Sequence, residues 1–250
     1  MALHRAASEG YRGAELYERA RPDYPEGAVT WLAQALGLGP GRRALELGAG
    51  TGKLSRALTR HGGMLVAVEP VSEMRSELAL RAPSALAVGG LAEAIPLRSG
   101  SVGAVLCAQS FHWFAGPRAI GEIHRVLAPG GVLGLVWNQR DERVGWVRQL
   151  GEVLLPLQGD APRFRSGRWR DALSASALFG PLEERRFAIE QAGAPEAVVE
   201  RISSTSFVAA LPAARRLEVL GEVRRIVAAG AQEGRVRMPY VTHAFCCERR

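Results

Sequence analysis

The chain has 250 residues, of which 47% are hydrophobic and 23% are charged. This balance is typical of globular proteins and excludes a disordered, collagenous or fibrous polypeptide. The chain carries 32 Lys and Arg against 25 Asp and Glu, which gives a net charge of +7, and Lys53 is its single lysine. We interpret this charge as scattered solvated arginines rather than a dedicated nucleic-acid surface.

The cysteine and hydropathy patterns indicate the cellular compartment in which the protein works. The three cysteines, Cys107, Cys246 and Cys247, are odd in number and lack metal-ligand spacing. We therefore expect a reducing, cytoplasmic setting and no metal site. No window approaches the ~18 uninterrupted apolar residues of a membrane helix, so we expect no membrane partner.

From Ala44 onward, short apolar runs alternate with segments of helical periodicity. This alternation is typical of parallel strands joined by crossover helices, and it predicts a doubly wound α/β fold. The predicted strands are Ala44–Leu47, Met64–Val68, Ala85–Val88, Val102–Ala108, Val132–Trp137, Arg185–Glu190 and Tyr240–Cys246. The predicted helices are Leu54–Leu58, Ser72–Arg81, Ala119–Leu127, Val144–Leu154 and Glu218–Ala229, with a break at Pro129–Gly131 before the fifth strand.

A glycine-rich segment, Glu46–Gly52, lies where the first predicted strand turns into the first helix. Its three glycines at every second position let the backbone pass close beneath a ligand. A dinucleotide fingerprint requires Gly or Ala where Lys53 stands. A phosphate-binding P-loop requires Gly where Leu47 stands and Ser or Thr where Leu54 stands. The spacing therefore disfavours both of these ligand classes.

An acidic residue two positions ahead of the glycine run resembles the first motif of the class I S-adenosylmethionine-dependent methyltransferases. Further blocks of that family match in order and spacing over about residues 42–138. They are Val66–Pro70 with Glu69 after the second strand, Gly90–Leu97, Ala108–Phe114 and Leu127–Gly131. The resemblance implies a Rossmann-like methyltransferase fold with a seven-stranded, mostly parallel sheet and a helical cover.

Two short motifs resemble the small-molecule methyltransferases of the type 11 domain group. They are Phe-His-Trp-Phe at 111–114 and Arg-Pro-Asp-Tyr-Pro at 21–25. In that group the N-terminal piece folds over the cofactor, which makes Tyr17, Arg21 and Tyr24 candidates for a lid. One departure is Gly103, where relatives carry Asp, and we expect it to weaken hydrogen bonding at the start of the fourth strand.

We interpret residues 1–250 as a single methyltransferase domain, because no low-complexity linker divides the chain, although Gly159–Gly167 is a candidate boundary. The resemblance implies lid helices in 1–40, a cofactor-binding core in 41–138, a substrate-side cover with late strands in 139–234, and a terminal strand in 235–250.

The resemblance also implies a binding site for S-adenosylmethionine. The implied cofactor-binding residues are Tyr17, Arg21, Glu46, Gly48, Ala49, Gly50, Thr51, Gly52, Glu69, Pro70, Met74, Ala92, Glu93, Gln109 and His112. In this assignment the glycine loop holds the methionine end, Glu69 accepts the ribose hydroxyls, and Ala92 with Glu93 lies along the adenine. Met74 has helical spacing with Leu78, which equally predicts a core residue.

Other readings stay open for several of these residues. Glu46 binds the cofactor's ammonium through water or pairs with a surface arginine. His112 is the candidate catalytic base, because a neutral imidazole can take a proton from an acceptor, and the alternative is that it positions the loop beside the sulfonium. Trp113 and Phe114 offer aromatic faces to that cation or serve as packing.

We expect transfer of a methyl group to a small-molecule acceptor by a monomer or homodimer. Three roles are open for the basic stretch Arg163–Arg170. It binds an acidic acceptor through its arginines, it binds phosphates and stacks on nucleic-acid bases, or it is a solvated loop. Two alternative functions remain: a non-catalytic S-adenosylmethionine-binding regulator, and an RNA or tRNA methyltransferase that uses this stretch. An Asn-Pro-Pro-aromatic block is missing after the fourth strand, where Gln109–His112 stands, which disfavours a nucleic-acid partner.

Overall fold

A computed structural model describes residues 14–159 and 162–250 of the chain. Within these residues seven strands form one sheet: β1 (Arg43–Leu47), β2 (Met64–Val68), β3 (Ala85–Val88), β4 (Val102–Ala108), β5 (Leu127–Arg140), β6 (Glu183–Gly193) and β7 (Val236–Glu248). The sheet is mixed, in the order β3-β2-β1-β4-β5-β7-β6. Neighbouring strands from β3 to β5 are parallel, which confirms the predicted fold class.

Helices alternate with the strands along the chain. In the described residues they are α1 (Ala14–Ala20), α2 (Glu26–Ala35), α3 (Lys53–Leu58), α4 (Ser72–Arg81), α5 (Pro117–Val126), α6 (Gly145–Leu154), α7 (Arg168–Ala175), α8 (Pro195–Ser203), α9 (Ser206–Ala209) and α10 (Ala213–Ala229). Residues 1–13 of the expected lid lie outside the described part of the chain. Among residues 14–159 and 162–250, no helix is both long and apolar enough to cross a membrane.

The described residues divide into two compact units. The core unit comprises Asp23–Asn138, Pro162–Phe187 and Thr242–Arg250. The helical unit comprises the described residues of the ranges 1–22, 139–161 and 188–241. Each unit has its own hydrophobic core.

Helices cover both faces of the sheet in the core unit. On one face, α2, α3 and α4 bury Leu32, Leu54 and Leu78 against alternate strand residues. On the other face, α5 and α7 contribute Ile120 and Trp169 to a second cluster. Because strand side chains alternate between faces, both sets of strand residues are apolar, as a doubly wound sheet requires. The helix α2 falls in the range expected for the lid, and its buried face belongs to this core.

The helical unit is built on α6, α8 and α10. Their apolar stripes meet in one cluster, which includes Val147, Leu150, Val199, Ile202, Val223 and Val227. The chain segment from α1 is tied to α8 by polar contacts. Arg19 pairs with Glu200 at 3.3 Å, and Arg21 Nη2 donates to the Ser204 carbonyl at 3.5 Å.

Strand β5 is longer than predicted because it continues across the Pro-Gly-Gly break. Leu127 pairs with Val102, and the next registered pair is Val132 with Ala104. The partner strand therefore advances two residues while β5 advances five, and the residues at 128–131 loop out of the ladder. The sequence predicts Pro129–Gly131 as a break between the helix and the fifth strand, whereas in the structure the helix ends at Val126 and β5 already begins at Leu127.

The start of β4 has a side-chain hydrogen bond although Gly103 replaces the Asp of the resembled family. Arg42 Nη2 donates to the Gly103 carbonyl at 2.8 Å, and the guanidinium fills the space that a side chain at 103 would need. The expected weakening of this strand start is therefore offset by Arg42.

A buried polar contact joins β5 to β7. Thr242 Oγ1 donates to Asn138 Oδ1 at 2.6 Å, and Asn138 Nδ2 donates to the Asp23 carbonyl at 3.1 Å. Both side chains are buried. Since a buried polar atom that loses its partner costs free energy, this contact fixes the segment at Asp23 to the sheet.

We expect Thr242→Val to lower the free energy of unfolding by about 1–3 kcal/mol, because it removes the donor from the buried Asn138 oxygen while keeping the side-chain shape. Urea unfolding at neutral pH measures the change. Thr242→Ser keeps the hydroxyl and serves as the matched control. Equal losses in the two variants would show that packing, rather than the hydrogen bond, matters at this position.

Candidate functional site

The site lies at the carboxyl ends of β1, β2 and β4. Strand β1 is hydrogen-bonded to β2 on one side and to β4 on the other, so the connections leave it in opposite directions. In open parallel sheets this reversal of strand order creates a crevice that binds ligands. The loop after β1 is held at this edge, because Gly48 N donates to the Val68 carbonyl at 2.9 Å and Ser110 Oγ donates to the Leu47 carbonyl at 2.7 Å.

The three glycines of this loop serve different purposes, although all have left-handed backbone angles. A Cβ at Gly48 would lie 2.7 Å from Ser110 Cβ, and a Cβ at Gly52 would lie 2.6 Å from Leu78 Cδ1. These two glycines are required by the chain's own packing. A Cβ at Gly50 would meet nothing within 4 Å. Gly50 is therefore the position at which the loop presents bare backbone to open space.

Glu69, directly after β2, is buried and turned toward the glycine loop. Its Oε2 accepts a hydrogen bond from Gly50 N, and its Oε1 accepts one from Val71 N, both at 2.9 Å. Burial raises the pKa of this carboxyl, and the two backbone donors oppose that rise. A carboxylate has about four acceptor positions, so two remain for a ligand's hydroxyl groups.

Glu46 is fully buried in β1 and has one orphaned oxygen. Oε2 accepts a hydrogen bond from Ser55 Oγ at 2.5 Å, whereas Oε1 has no hydrogen-bond partner. Burial raises the pKa of Glu46, the Ser55 hydrogen bond opposes the rise, and the nearby charge of Glu69 adds to it, so that the pKa moves from 4.5 to about 8. Because a buried acceptor without a donor is costly, the site fits a ligand that brings a donor or a positive charge. The expected alternative, a surface arginine, does not bind Glu46 here.

The segment implied to lie along the adenine is held by α5. Ile95 N donates to Glu122 Oε2 at 2.8 Å, and Arg125 donates to the carbonyls of Ile95 and Leu97. Ala92 is buried in the core cluster, and Glu93 is partly exposed. This polar bracing keeps the backbone of the segment in place beside the end of β3.

The segment after β4 packs against the glycine loop. Gln109 has a left-handed backbone (φ 56°), and its Nε2 donates to the Asn138 carbonyl at 3.3 Å. Such strain in a non-glycine residue is concentrated at functional sites. Phe111 is buried, and Phe114 packs edge-to-face on it with ring centroids 5.7 Å apart. Phe114 therefore acts as packing in this structure.

His112, in the same segment, is held in one protonation form. The indole Nε1–H of Trp137 donates to His112 Nδ1 at 3.0 Å. Since an indole nitrogen only donates, Nδ1 carries no proton and the neutral ring bears its proton on Nε2. Burial, together with the Arg163 guanidinium, lowers the pKa of His112 from 6.5 to about 3. This arrangement favours the positioning reading of His112 over the catalytic-base reading.

The N-terminal motif divides between the two units. Arg21 belongs to the helical unit, whereas Asp23 pairs with Lys53 of α3 at 3.0 Å and Tyr24 packs in the core cluster below α2. Tyr17 lies in α1, and its side chain is outside the described part of the structure. The lid roles of these residues remain predictions.

The remaining implied cofactor residues lie on the same edge of the core unit. Ala49 and Thr51 are buried in the glycine loop, and Pro70 follows Glu69 with part of its surface exposed. Met74 is buried in the first turn of α4, as its spacing with Leu78 predicted. Among the described residues, no group of three or more His, Cys, Asp or Glu side chains is arranged to hold a metal ion.

The two aromatic residues of the basic stretch pack on the core unit's hydrophobic core, Trp169 as a buried member and Phe164 as a partly buried neighbour. Trp169 is 3% exposed, and Phe164 stacks on it with ring centroids 5.8 Å apart. Arg170 lies over the Trp169 ring and pairs with Glu184 at 3.4 Å. The alternative that this stretch stacks on bases is therefore disfavoured, because Trp169 is buried and Phe164 packs against the core cluster.

Two residues of the site were not identified from the sequence. Ser55 is a polar residue among the buried positions of α3, and that mismatch is a usable signal. Trp137 lies in the buried part of β5, where an indole N–H needs an acceptor. The cysteines offer no alternative nucleophile, since burial raises the pKa of Cys107, Cys246 and Cys247.

The two glycine positions predict different stability effects. Both Gly48→Ala and Gly50→Ala place a side chain on a left-handed backbone, which costs roughly 1 kcal/mol. Only Gly48→Ala also forces a Cβ into Ser110, so we expect a loss that is larger by at least about 1 kcal/mol. Urea unfolding of the two variants measures the difference, and equal losses would contradict the proposed contact.

The buried Glu46 predicts a pH-dependent stability. Its pKa is about 8 in the folded chain against 4.5 for the free side chain, so the stabilising proton is fully held below pH 4.5 and is lost as the pH rises through about 8. We expect Glu46→Gln to gain stability over the unchanged protein across this window, by at most about 1.4 kcal/mol per pH unit. Unfolding curves measured across this window test it. Because Glu69 also has a raised pKa, part of the pH dependence persists in the variant, but fully parallel profiles would contradict the prediction.

Comparison with known proteins agrees with this geometry. The profile of the methyltransferase domain family, type 11, matches residues 45–135. An uncharacterized methyltransferase of Mycobacterium tuberculosis is 42% identical over 229 residues, which cover 90% of this chain and 89% of the relative. An uncharacterized methyltransferase-like protein of Schizosaccharomyces pombe is 37% identical over 237 residues, which cover 93% of this chain and 92% of the relative.

Solved structures share the fold. A proposed type II methyltransferase of Anaeromyxobacter dehalogenans superimposes with a TM-score of 0.64 at 26% identity, covering 92% of this chain and 97% of that one. The YcgJ protein of Bacillus subtilis superimposes with a TM-score of 0.60 at 17% identity, covering 90% of this chain and 99% of that one. From its 42% identity to an uncharacterized methyltransferase over nine-tenths of its length, the chain belongs to the same methyltransferase family, with a type 11 methyltransferase domain at residues 45–135, and is an S-adenosylmethionine-dependent methyltransferase.

Proposed function

We propose that the chain transfers a methyl group from S-adenosylmethionine to a small-molecule acceptor at the edge formed by β1, β2 and β4. The observation that supports this most directly is the link between Gly50 and Glu69. Gly50 N donates a hydrogen bond to Glu69 Oε2 at 2.9 Å, which holds the loop in place. A Cβ at Gly50 would meet nothing within 4 Å, so this side of the residue faces open space. A nucleoside ligand can therefore lie against bare backbone with a carboxylate beside its sugar.

The residues at this edge fit the cofactor's groups. Glu69 keeps acceptor positions for two ribose hydroxyls, and the orphaned Oε1 of Glu46 suits the ammonium of the methionine end, directly or through water. The braced segment with Ala92 and Glu93 lies along the adenine, and Gln109 with His112 borders the methyl group. In this assignment Gly48 and Gly52 shape the loop rather than contact the ligand.

The chain's own contribution to the reaction is positioning. S-adenosylmethionine supplies a methyl group that is already activated by its sulfonium. Holding two reactants in attack geometry contributes several kcal/mol, since it replaces a bimolecular encounter with an ordered one. The rigid anchors for this are the strand ends, the hydrogen bond between Ser110 and Leu47, and the left-handed Gln109.

Calorimetric titration with S-adenosylhomocysteine tests the cofactor site. We expect binding by the unchanged protein, and we expect Glu69→Ala and Gly50→Val each to abolish the binding heat while the chain stays folded. Glu73→Ala removes an exposed carboxylate from the first turn of α4 and is the matched control. Absence of heat with the unchanged, folded protein, or undiminished heat with Glu69→Ala, would contradict the proposal.

Turnover separates an enzyme from a binding protein. We expect release of S-adenosylhomocysteine when a suitable small acceptor is added to protein and S-adenosylmethionine. Binding without release for any acceptor would favour a regulator. Activity on RNA that falls steeply with added salt would favour a nucleic-acid enzyme instead.

A further inference from the structure

The pairing of His112 with Trp137 has the opposite polarity to that of a catalytic base. A histidine base donates its Nδ1–H to a carboxylate or carbonyl, which leaves Nε2 free to take a proton. Here the partner of Nδ1 is itself a donor, at 3.0 Å. If His112 took up a proton, two N–H groups would point at each other. The ring is therefore fixed as a neutral hydrogen-bond donor through Nε2.

The charged surroundings of His112 reinforce this polarity. The guanidinium of Arg163, from the chain ahead of α7, is the charged group that acts on the ring. The other neighbours are the rings of Trp113 and Trp137, with centroids 5.3 and 6.3 Å away, which do not titrate. The Nε2–H donor of His112 and the guanidinium of Arg163 together favour binding of an anionic oxygen. They disfavour a methyl acceptor that must give up a proton at this position, because neither group can take it.

The position of His112 connects it to the cofactor edge. It lies two residues after Ser110. The Ser110 hydroxyl donates to the Leu47 carbonyl, and the Ser110 Cβ leaves no room for a side chain at Gly48. Resting on the proposed function, we infer that the methyl acceptor is a carboxylic acid whose carboxylate is held by the Nε2–H of His112, with Arg163 contributing positive charge. Trp137 acts as a positioning residue, because it selects the tautomer.

The chemistry of this acceptor needs no base. A lone pair of the carboxylate oxygen forms the new oxygen–carbon bond while the methyl–sulfur bond breaks and its electron pair stays on sulfur. The products are a methyl ester and S-adenosylhomocysteine, and no proton is transferred. A thiolate would also react without a base, but sulfur is a weak acceptor for the Nε2–H donor.

Nitrogen-15 NMR of the histidine rings tests the tautomer without any acceptor. We expect Nε2 to be protonated, Nδ1 to be bare, and the ring to stay neutral from about pH 5 to 9. In Trp137→Phe we expect a proton to appear on Nδ1 in part of the molecules, because the donor that selects the tautomer is gone, while burial and Arg163 still keep the pKa of His112 below its ordinary value. A proton on Nδ1, or titration near neutral pH in the unchanged protein, would overturn the inference.

An acceptor panel tests the substrate class. The probes are alkanoic, aromatic, dicarboxylic and tricarboxylic acids, each paired with the alcohol, amine and thiol of the same carbon skeleton. We expect S-adenosylhomocysteine release and a base-labile methyl ester with acids, and, at saturating S-adenosylmethionine, a rate without the rise from about pH 6 to 9 that a histidine base would give. Release only with the other classes, or none with any acid, would overturn the inference. If S-adenosylhomocysteine itself does not bind, the proposed function fails instead.

Substitutions at 112 separate binding from a structural role. We expect His112→Ala to raise KM for the acid about 10- to 100-fold, the cost of losing a hydrogen bond to a charged group, with little change in kcat. His112→Gln presents an N–H near the position of Nε2, and we expect it to restore most of the lost affinity. Because His112 also borders the methyl group of the cofactor, S-adenosylhomocysteine binding is measured in both variants, and KM for the acid is compared at saturating S-adenosylmethionine. An equal loss in both variants, or a loss confined to kcat, would contradict substrate binding by Nε2–H.

Discussion

The hydrogen bond between the Glu69 carboxylate and the Gly50 amide is the interaction on which the site depends. It joins the end of β2 to the loop after β1, so two strand ends and one loop become a single rigid edge. Burial of Glu69 makes this bond expensive to lose and also raises the carboxyl's pKa. Glu46, buried on the neighbouring strand, adds a second desolvated carboxyl. The raised pKa of about 8 leaves Glu46 mostly protonated at neutral pH, and a positively charged methyl donor beside it would favour the ionised form.

The polarity of the site changes from one end to the other. Carboxyl groups dominate at β1 and β2, whereas the segment after β4 offers the fixed N–H of His112 and the charge of Arg163. A cationic donor and an anionic acceptor are each attracted to the end of opposite charge. Such complementarity brings the reactants together without a proton-transfer group, which agrees with a mechanism based on positioning.

Much of the fold could be predicted from the sequence because buried parallel strands are short apolar runs with clear boundaries. The bounds of β2, β3, β4 and α4 agree with their predictions. The longer extents of β5 and β7 could not be predicted, because they depend on pairing with strands distant in the sequence. For the site, the motif spacing gave the positions of Glu46, Gly50 and Glu69. Partners chosen by tertiary contact, such as Ser55 and Trp137, have no spacing rule and required coordinates.

The contact of Leu78 with the backbone at Gly52 has an evolutionary consequence. The end of this leucine occupies the volume that any larger residue at 52 would need. A larger residue at 52 would therefore require the end of Leu78 to move or to become smaller, in addition to the strain of a left-handed backbone at 52. A member of this lineage with Ala or Ser at 52 should carry a smaller residue at 78, so substitutions at these two sites should be correlated between species.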